Sequence, residues 1–292
     1  MCRHPLFVVV LYAALALPGS PAAAQEPCDF NKDALQFAGD ALAQAGCLLR
    51  PIARYGHVEP APVQVPATLS RLVGHLTTVS RVDLRNHLRG LRIAESDIGG
   101  GLDTPVSDRN LGYDGDPGAP YFVIHDTSTP FNPMDAPFPD DINEPGSRLN
   151  QLGIYKRVAH VFIGRDGSSR TTRDFRVGWR ATKLERAGPC GHGKETRGRF
   201  LHIENVQPRR FDPAGGEGND AAAPEEGFPL AQLDRLAIVY VAASVRAGTW
   251  LIPGFHGVID QGCASAHDDP QNFDLTLWDS RLGALLEALG PR

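Results

Sequence analysis

Three short apolar runs constrain the fold of this chain more than any other feature. They cover residues 121–125, 159–163 and 199–204. Each run has the length and the branched or aromatic residues of a buried strand. Two longer segments, from Pro229 to Arg246 and from about Leu275 onward, instead place apolar residues at helical spacing. Short strands interspersed with long helices predict an α/β domain.

The segment before these strands has a different pattern and is predicted to be mainly helical. Apolar residues follow helical spacing over residues 29–50 and again over residues 69–76, with a proline-punctuated linker between them. Glycine and proline then become frequent over residues 99–120, which places a boundary near residue 105. We therefore expect an N-terminal extension over residues 25–105, whose role the sequence does not indicate, and a main domain over residues 106–292.

The first 24 residues predict a secretory signal peptide. Arg3 precedes an apolar run from Leu6 to Leu17, and three alanines that end at Ala24 provide a small-residue cleavage site. The run is too short for a comfortable transmembrane helix, and no later stretch approaches about 18 uninterrupted apolar residues. We expect a mature protein without an integral membrane segment, periplasmic or secreted after cleavage near Ala24. An uncleaved anchor is the alternative.

Four cysteines follow the predicted cleavage site, and their number is even. In an oxidising compartment this favours two disulfides, for which three connectivities exist. We favour Cys28 with Cys47, which bracket one predicted helical segment, and Cys190 with Cys263, which would join two loops of the main domain. A cysteine metal site is the alternative, although the chain has no C-x-x-C pair.

The charge balance argues against nucleic acid as a partner. The chain has 34 acidic and 29 basic residues and a formal net charge of -5. No overall positive field would draw it to a polyanion. We predict no nucleic-acid partner, and the sequence does not identify a protein partner.

Candidate functional residues lie at two strand ends and in one loop. His125 and Glu204 end their predicted strands, and the loop from His256 to Pro270 contains two histidines and three aspartates. Imidazole and carboxylate groups together suit zinc. Two histidines and one carboxylate would leave a fourth position open for water, which is a hydrolytic arrangement.

Five short motifs follow one another along the chain, at residues 121–128, 159–167, 178–182, 202–205 and 256–270. In this order they resemble the motifs of zinc-dependent N-acetylmuramoyl-L-alanine amidases, whose superfamily also contains the peptidoglycan recognition proteins. The resemblance covers roughly residues 117–290. It implies a central mixed β-sheet flanked by helices, one zinc ion, and hydrolysis of the amide bond between N-acetylmuramic acid and L-alanine. The implied partner is peptidoglycan or a muropeptide.

The resemblance also implies a role for each candidate residue. His125 and His256 match the two histidine ligands of the family, and Asp269, which directly precedes a proline, matches the third ligand. Glu204 looks like the group that activates the attacking water. His267 stands two residues before the third ligand, where the family often has a lysine that stabilises the tetrahedral oxyanion.

Some assignments around this core stay open. His267 is alternatively a zinc ligand itself, with an adjacent aspartate as its partner. His160 alternates with apolar neighbours and is predicted to be a satisfied core residue. His202 shares a strand face with Glu204, and it either orients that carboxylate or lines the cleft.

Two other functions compete with the enzyme. One is a non-catalytic peptidoglycan-binding receptor, as some members of the superfamily are. The other is a secreted cell-wall-degrading effector whose N-terminal region docks a partner or the envelope. Retention of the three predicted ligands and of Glu204 favours the enzyme over the receptor.

Overall fold

A computed structural model describes residues 28–107, 118–132, 136–156, 158–188, 190–212, 214, 221–263 and 266–290. The predicted signal peptide and its cleavage site lie outside these residues. In chain order the strands are β1 (Phe30–Asn31), β2 (Gln36–Phe37), β3 (Tyr121–Asp126), β4 (Phe131–Asn132), β5 (Val161–Ile163), β6 (Ser169–Thr171), β7 (Phe200–Asn205), β8 (Arg209–Phe211), β9 (Ala221–Ala222) and β10 (Ile252–Phe255). The α-helices are α1 (Ala41–Leu48), α2 (Ala67–Leu72), α3 (Arg81–Gly90), α4 (Leu230–Ala247), α5 (His256–Ile259) and α6 (Leu275–Ala288).

The centre of the fold is a mixed five-stranded sheet with strand order β10-β3-β7-β5-β6. The first four strands in this order are parallel, and β6 pairs antiparallel with β5. The three apolar runs predicted as strands are confirmed as β3, β5 and β7. A smaller sheet, β4-β8-β9, lies outside the central one. The molecule is therefore an α/β protein whose parallel strands end at a common edge.

Two long helices pack together on one face of the sheet. Tyr240 of α4 meets Phe122 of β3 edge to face, with 5.2 Å between ring centroids, and also meets Trp278 of α6 at 5.5 Å. The side chains at these contacts are excluded from water, which is the main source of stability in such a layer. Gly248 ends α4 in the left-handed conformation, with φ of 78°. Both long helices were predicted from their apolar spacing, and both are confirmed.

The N-terminal segment covers part of the other face of the sheet. The hydroxyl of Tyr121 donates to Oε1 of Gln44 in α1 and accepts from the backbone N–H of Phe37. A Cβ at Gly254 of β10 would lie 3.0 Å from the Cβ of Leu48, so glycine allows α1 to approach the sheet closely. One continuous apolar core therefore includes residues from both sides of the predicted boundary near residue 105.

The prediction of a single helix over residues 29–50 is wrong in its first half. Residues 30–37 form the two-stranded β1–β2 hairpin, and Asp40 caps α1 by accepting from the N–H of Ala43. Phe30 and Phe37 pair across the hairpin with their ring centroids 5.1 Å apart. The mainly helical character predicted for residues 25–105 is not confirmed, because turns and loops connect three short helices over the described part of that range.

Both favoured disulfide pairs are present. Cys28 pairs with Cys47 and Cys190 pairs with Cys263, with Cα–Cα distances of 5.6 and 5.5 Å. The first joins the segment before β1 to α1, and the second joins two loops at the carboxyl edge of the sheet. The described helices are all too short or too polar to span a bilayer.

Candidate metal centre

The carboxyl ends of neighbouring parallel strands bring the predicted site residues together. His125 of β3 pairs in register with Glu204 of β7, and His256 begins α5 directly after β10. Asp269 reaches the same place from the loop that follows α5. All four residues are buried. They converge because parallel strands end at one edge of the sheet, where α/β folds bind their ligands.

Three of these side chains point at one another. Nδ1 of His125 and Nδ1 of His256 are 2.8 Å apart, and Nδ1 of His256 is 3.0 Å from Oδ1 of Asp269. Nδ1 of His125 is 3.8 Å from Oδ2 of the same carboxylate. One ligand atom from each residue therefore lies within 4.8 Å of the others. Bonds of about 2 Å to a shared ion need ligand atoms this close together, so the group could bind a metal ion.

Backbone hydrogen bonds fix the third member of this group. Oδ2 of Asp269 accepts from the N–H of Asp126 at 3.0 Å. The backbone carbonyl oxygen of Asp269 accepts from the N–H of Gly257 at 2.7 Å. A Cβ at position 257 would lie 2.8 Å from the carbonyl oxygen of His267 and 3.2 Å from that of Asp269. Glycine at position 257 thus permits the first turn of α5 to contact the loop that supplies the carboxylate.

The contacts behind the two histidines leave their Nδ1 lone pairs facing inward. Nε2 of His256 lies 2.9 Å from the Asp260 carboxylate, which can only accept, so this nitrogen carries the proton. Nε2 of His202 lies 3.1 Å from the Glu185 carboxylate, whose charge favours a proton on that nitrogen although the pair lacks hydrogen-bond alignment. Nδ1 of His202 can then accept from Nε2 of His125, also at 3.1 Å. Two inward lone pairs beside a carboxylate repel one another unless a proton or a cation lies between them, which is the condition of a metal site.

Burial and neighbouring charge set the pKa of each member of the group. Burial lowers the pKa of His125 well below its ordinary value, and the neighbouring histidines lower it further. Burial also lowers the pKa of His256, but the Asp269 and Asp260 carboxylates outweigh this and raise it to about 10. Burial would raise the pKa of Asp269, yet His256 beside it holds that pKa well below its usual range. A proton on His256 thus balances the Asp269 charge, and metal binding would displace it.

Glu204 lies beside this group with one oxygen unused. Its Oε2 is buried and has no hydrogen-bond partner among the described residues. Burial raises the pKa of Glu204 well above its ordinary value, and the Asp269 carboxylate raises it further. A buried carboxyl group with a raised pKa in a cleft is a candidate for proton transfer.

A cavity of about 280 Å³ opens onto the group. It is lined by Glu204, by His256 and Asp269 of the ligand group, and by a wall of residues 179–181 and Arg186. Trp179 is held in this wall because its Nε1 donates to the carbonyl oxygen of Val158 at 2.8 Å, while the Arg173 guanidinium lies 3.5 Å from its ring centroid. This wall is therefore aromatic and cationic.

A second cavity, of about 340 Å³, adjoins the first. The two share Thr127, Val158 and Glu204 as lining residues, so we describe them together as the cleft. The second cavity is bounded by residues 154–156 and by Phe162 of β5. The cleft is thus large enough for a ligand that extends to both sides of Glu204.

His267 lies at the mouth of the first cavity with 47% of its side chain exposed. Its Nδ1 is 3.6 Å from Oδ1 of Asp269, and its ring centroid is 4.1 Å from that of His256. His267 also forms, with His256 and Asp260, a second group close enough to hold a metal ion. This place is compatible with both roles predicted for His267, oxyanion stabilisation and metal coordination, and both stay predictions.

The two other strand histidines are structural. His160 is fully buried, with Nδ1 accepting from the N–H of His202 and Nε2 donating to the carbonyl oxygen of Val177. Burial lowers the pKa of His160 to about 3, and the prediction of a satisfied core residue is confirmed. His202 is also fully buried, and its Nδ1 contacts Nε2 of His125. The sequence predicts instead that His202 orients Glu204 or lines the cleft.

The sequence analysis does not identify the two carboxylates behind the histidines. Asp260 follows His256 by four residues, so helical spacing is a signal that points to it. Glu185 lies in an irregular segment far from either histidine in sequence, and no spacing rule relates it to them. The supporting contacts of the site are therefore less visible in the sequence than the ligands.

No protein-family model, curated protein or solved structure matches this chain. The interpretation of the site consequently depends on its geometry and on the resemblance of its motifs.

Proposed function

We propose that this protein is a zinc-dependent amidase that hydrolyses the bond between N-acetylmuramic acid and L-alanine in peptidoglycan or muropeptides. The observation that carries the proposal is that His125, His256 and Asp269 converge on one place, beside the unpartnered Oε2 of Glu204 and next to a cavity that His256, Asp269 and Glu204 line. The order of the sequence motifs, which resembles that of the amidase superfamily, supports the choice of reaction and substrate.

The donor set of the group fits zinc. Two imidazole nitrogens and one carboxylate are a common catalytic zinc set, and they leave a fourth position free. The second nitrogen of each histidine also faces a fixed partner, as it does in most histidines that bind metal. A bound zinc ion would supply Lewis-acid chemistry, polarising the amide carbonyl and lowering the pKa of water.

Glu204 would act first as general base and then as general acid. Its raised pKa lets it hold the proton taken from the attacking water and deliver it to the amine of L-alanine as the C–N bond breaks. Its place is set by the pairing of β7 with β3, where it lies opposite His125. A catalytic group on a rigid strand keeps its distance from the ligands better than one on a loop.

His267 would stabilise the oxyanion of the tetrahedral intermediate. It lies at the mouth of the first cavity, with its ring near the ligand group. A hydrogen-bond donor at this position would stabilise the charge that develops on the carbonyl oxygen, so His267→Ala should lower kcat more than it changes KM. An unchanged kcat in His267→Ala would contradict this role.

The two disulfides are compatible with an extracellular location, where peptidoglycan is accessible. We therefore propose action in the periplasm or outside the cell. The aromatic and cationic wall formed by Trp179, Arg180 and Arg186 would contact the substrate.

The test is mass spectrometry of a defined muropeptide incubated with the purified protein. The expected products are the free sugar acid and a stem peptide with a free L-alanine amine. Product formation should stop in the presence of a chelator, return when zinc is added, and be absent in Glu204→Gln. The matched control is Glu225→Gln, which changes an exposed glutamate that pairs with Arg54.

The outcomes separate the three candidate functions. Zinc binding and muropeptide binding without cleavage would favour the receptor. Cleavage at another bond would keep the hydrolase and reject the amidase. Faster cleavage of intact sacculi from other cells than of sacculi from the producing cell would favour the effector.

A further inference from the structure

The two carboxylates behind the metal-binding histidines hold one short segment of chain. This segment, residues 181–185, follows Trp179 and Arg180 of the cleft wall and precedes Arg186. Glu185 belongs to the segment, and Asp260 approaches it from the end of α5. The backbone of the segment is thus connected to the metal group at two points.

The first connection passes through two buried side chains. Nε2 of His125 lies 3.1 Å from Nδ1 of His202, and Nε2 of His202 lies 3.1 Å from Oε2 of Glu185. His202 and Glu185 are both fully buried. The second of these contacts has the distance of an ion pair and lacks the alignment of a hydrogen bond. Glu185 therefore acts on His125 mainly through its charge and through the ring of His202.

The same carboxylate organises the backbone that precedes it. Oε2 of Glu185 accepts from the N–H groups of Ala181 and Thr182, both at 3.1 Å, and from the hydroxyl of Thr182 at 3.0 Å. Its other oxygen, Oε1, is buried without a partner among the described residues. All of its contacts therefore fall on the oxygen that faces His202.

The second connection uses both oxygens of Asp260. Oδ2 lies 2.9 Å from Nε2 of His256, and Oδ1 accepts from the N–H groups of Lys183 and Leu184, at 2.8 and 3.2 Å. Asp260 is fully buried. Together the two carboxylates accept all four N–H groups of residues 181–184.

We propose that Glu185 is a positioning residue for the metal ligand His125, and that residues 181–185 couple metal binding to the order of the cleft wall around Arg180 and Arg186. This proposal rests on the metal site of the proposed function, but not on the amidase reaction. Fixing the orientation of His125 and His256 fixes His202 and Asp260 behind them, and these in turn hold the segment. Conversely, loss of the Glu185 charge removes the group that favours a proton on Nε2 of His202, and with it the bias that keeps Nδ1 of His202 free to accept from His125.

The first test measures the affinity of the full protein for Zn²⁺ by competition with a chromophoric chelator. Glu185→Gln should weaken binding about 10- to 100-fold, the usual range for partners behind metal ligands. The visible spectrum of the Co²⁺-loaded protein should change as well, because the orientation of His125 would change. This readout does not depend on catalysis.

The matched control is Asp279→Asn. Asp279 of α6 is another buried carboxylate that accepts from two backbone N–H groups, those of Thr68 and Leu69, and these contacts lie outside the metal group. Asp279→Asn should lower the stability of the protein without changing Zn²⁺ affinity by more than about twofold or altering the Co²⁺ spectrum. If Glu185→Gln does not fold, Thr182→Val is the second variant. It removes the hydroxyl that donates to Oε2 of Glu185 and accepts from the Glu185 N–H, and a several-fold loss of affinity is expected.

The second test is hydrogen exchange of residues 181–184 with and without Zn²⁺. We expect at least tenfold slower exchange in the metal-bound wild type and little change in Glu185→Gln. A folded Glu185→Gln or Thr182→Val protein with wild-type affinity, or exchange that ignores Zn²⁺, would overturn this inference and leave the proposed function intact. A wild type that binds no Zn²⁺ would overturn both.

Discussion

The apolar layer between α4 and the sheet and the polar edge above it are built on opposite principles, although the same strands supply both. In β3, Phe122 packs against Tyr240 of α4, and three residues later His125 faces the metal group. The apolar layer removes hydrocarbon from water and stabilises the fold. The polar edge buries charged groups, which costs stability unless each is paired.

Ion pairs at the polar edge offset part of the stability lost by burying charged groups. Nη2 of Arg209 donates to Oδ2 of Asp126 at 2.9 Å, and the same oxygen accepts from the N–H of Gln271 at 3.1 Å. This pairing joins β3, β8 and the loop that carries Asp269. The remainder is left unpaired, since Oε2 of Glu204 and Nη1 of Arg209 have no hydrogen-bond partner among the described residues. Buried polar groups without partners lower the stability of the fold. When they lie at a cleft they indicate a functional site, whose cost is offset by contacts elsewhere in the protein.

The largest effect should come from removing a ligand at the polar edge. His256→Ala should lower Zn²⁺ affinity by more than about 100-fold and abolish the proposed amidase activity, because it removes one metal ligand and the partner of Oδ2 of Asp260. The apolar layer should keep the protein folded. Zn²⁺ titration, muropeptide turnover and circular dichroism measure the three properties. His57→Ala, at an exposed histidine, is the control, and full activity in His256→Ala would reject the metal site.

The reverse experiment changes the apolar layer alone. Leu236 of α4 is fully buried, and Leu236→Ala should lower the free energy of unfolding by about 2–5 kcal/mol through lost burial and a new cavity. Turnover per folded molecule should stay at the wild-type value, because the site is anchored at the strand ends. Urea unfolding and active-site titration with Zn²⁺ test this. A folded variant with much lower turnover would show that the two layers are not separable.

The spacing of apolar residues explains which strands and helices of the apolar layer can be predicted from the sequence. The strands β3, β5 and β7 and the helices α4 and α6 follow the apolar spacing of their own residues, and their place in the core agrees with it. The hairpin at residues 30–37 does not follow the apolar spacing of its residues, because contacts with the rest of the fold determine its structure. The rings of Phe37 and Tyr121 lie 5.4 Å apart, and the N–H of Phe37 donates to the Tyr121 hydroxyl, a contact that a helix would not make.

The site divides in the same way. His125, Glu204, His256 and Asp269 are identifiable because each stands at a strand end or in one histidine-rich loop, and the structure brings all four together. Glu185 is not, because its effect depends on a contact with His202 across the fold. Candidate ligands can be predicted from sequence order, whereas the groups that contact them from behind are found only in the packed structure.

A smaller effect should connect the two layers through metal binding. A ligand that binds only the folded state stabilises it, by about 2.7 kcal/mol when its free concentration is 100 times Kd. Zn²⁺ should therefore raise the unfolding midpoint of the wild type, and also that of Leu236→Ala, but not that of His256→Ala. Thermal unfolding with and without a chelator measures this. Equal stabilisation of His256→Ala would place the Zn²⁺ elsewhere on the chain.

The smallest effect concerns the pH dependence of the sheet core below the site. His160 has an ordinary pKa of 6.5, and burial lowers it to about 3 in the folded protein. Below pH 6.5 the unfolded chain therefore binds a proton that the folded chain does not, so stability is present above that pH and is lost as the pH falls toward 3. The loss attributable to this residue is about 1.4 kcal/mol per pH unit.

His160→Gln cannot be protonated and should show a correspondingly flatter decline between pH 6.5 and 5. Urea unfolding of the chelator-treated proteins measures both slopes, and the other buried histidines cancel in the difference. Parallel slopes would mean that His160 is protonated in the folded state, and that the polar character of the carboxyl edge extends deeper into the sheet than its hydrogen bonds indicate.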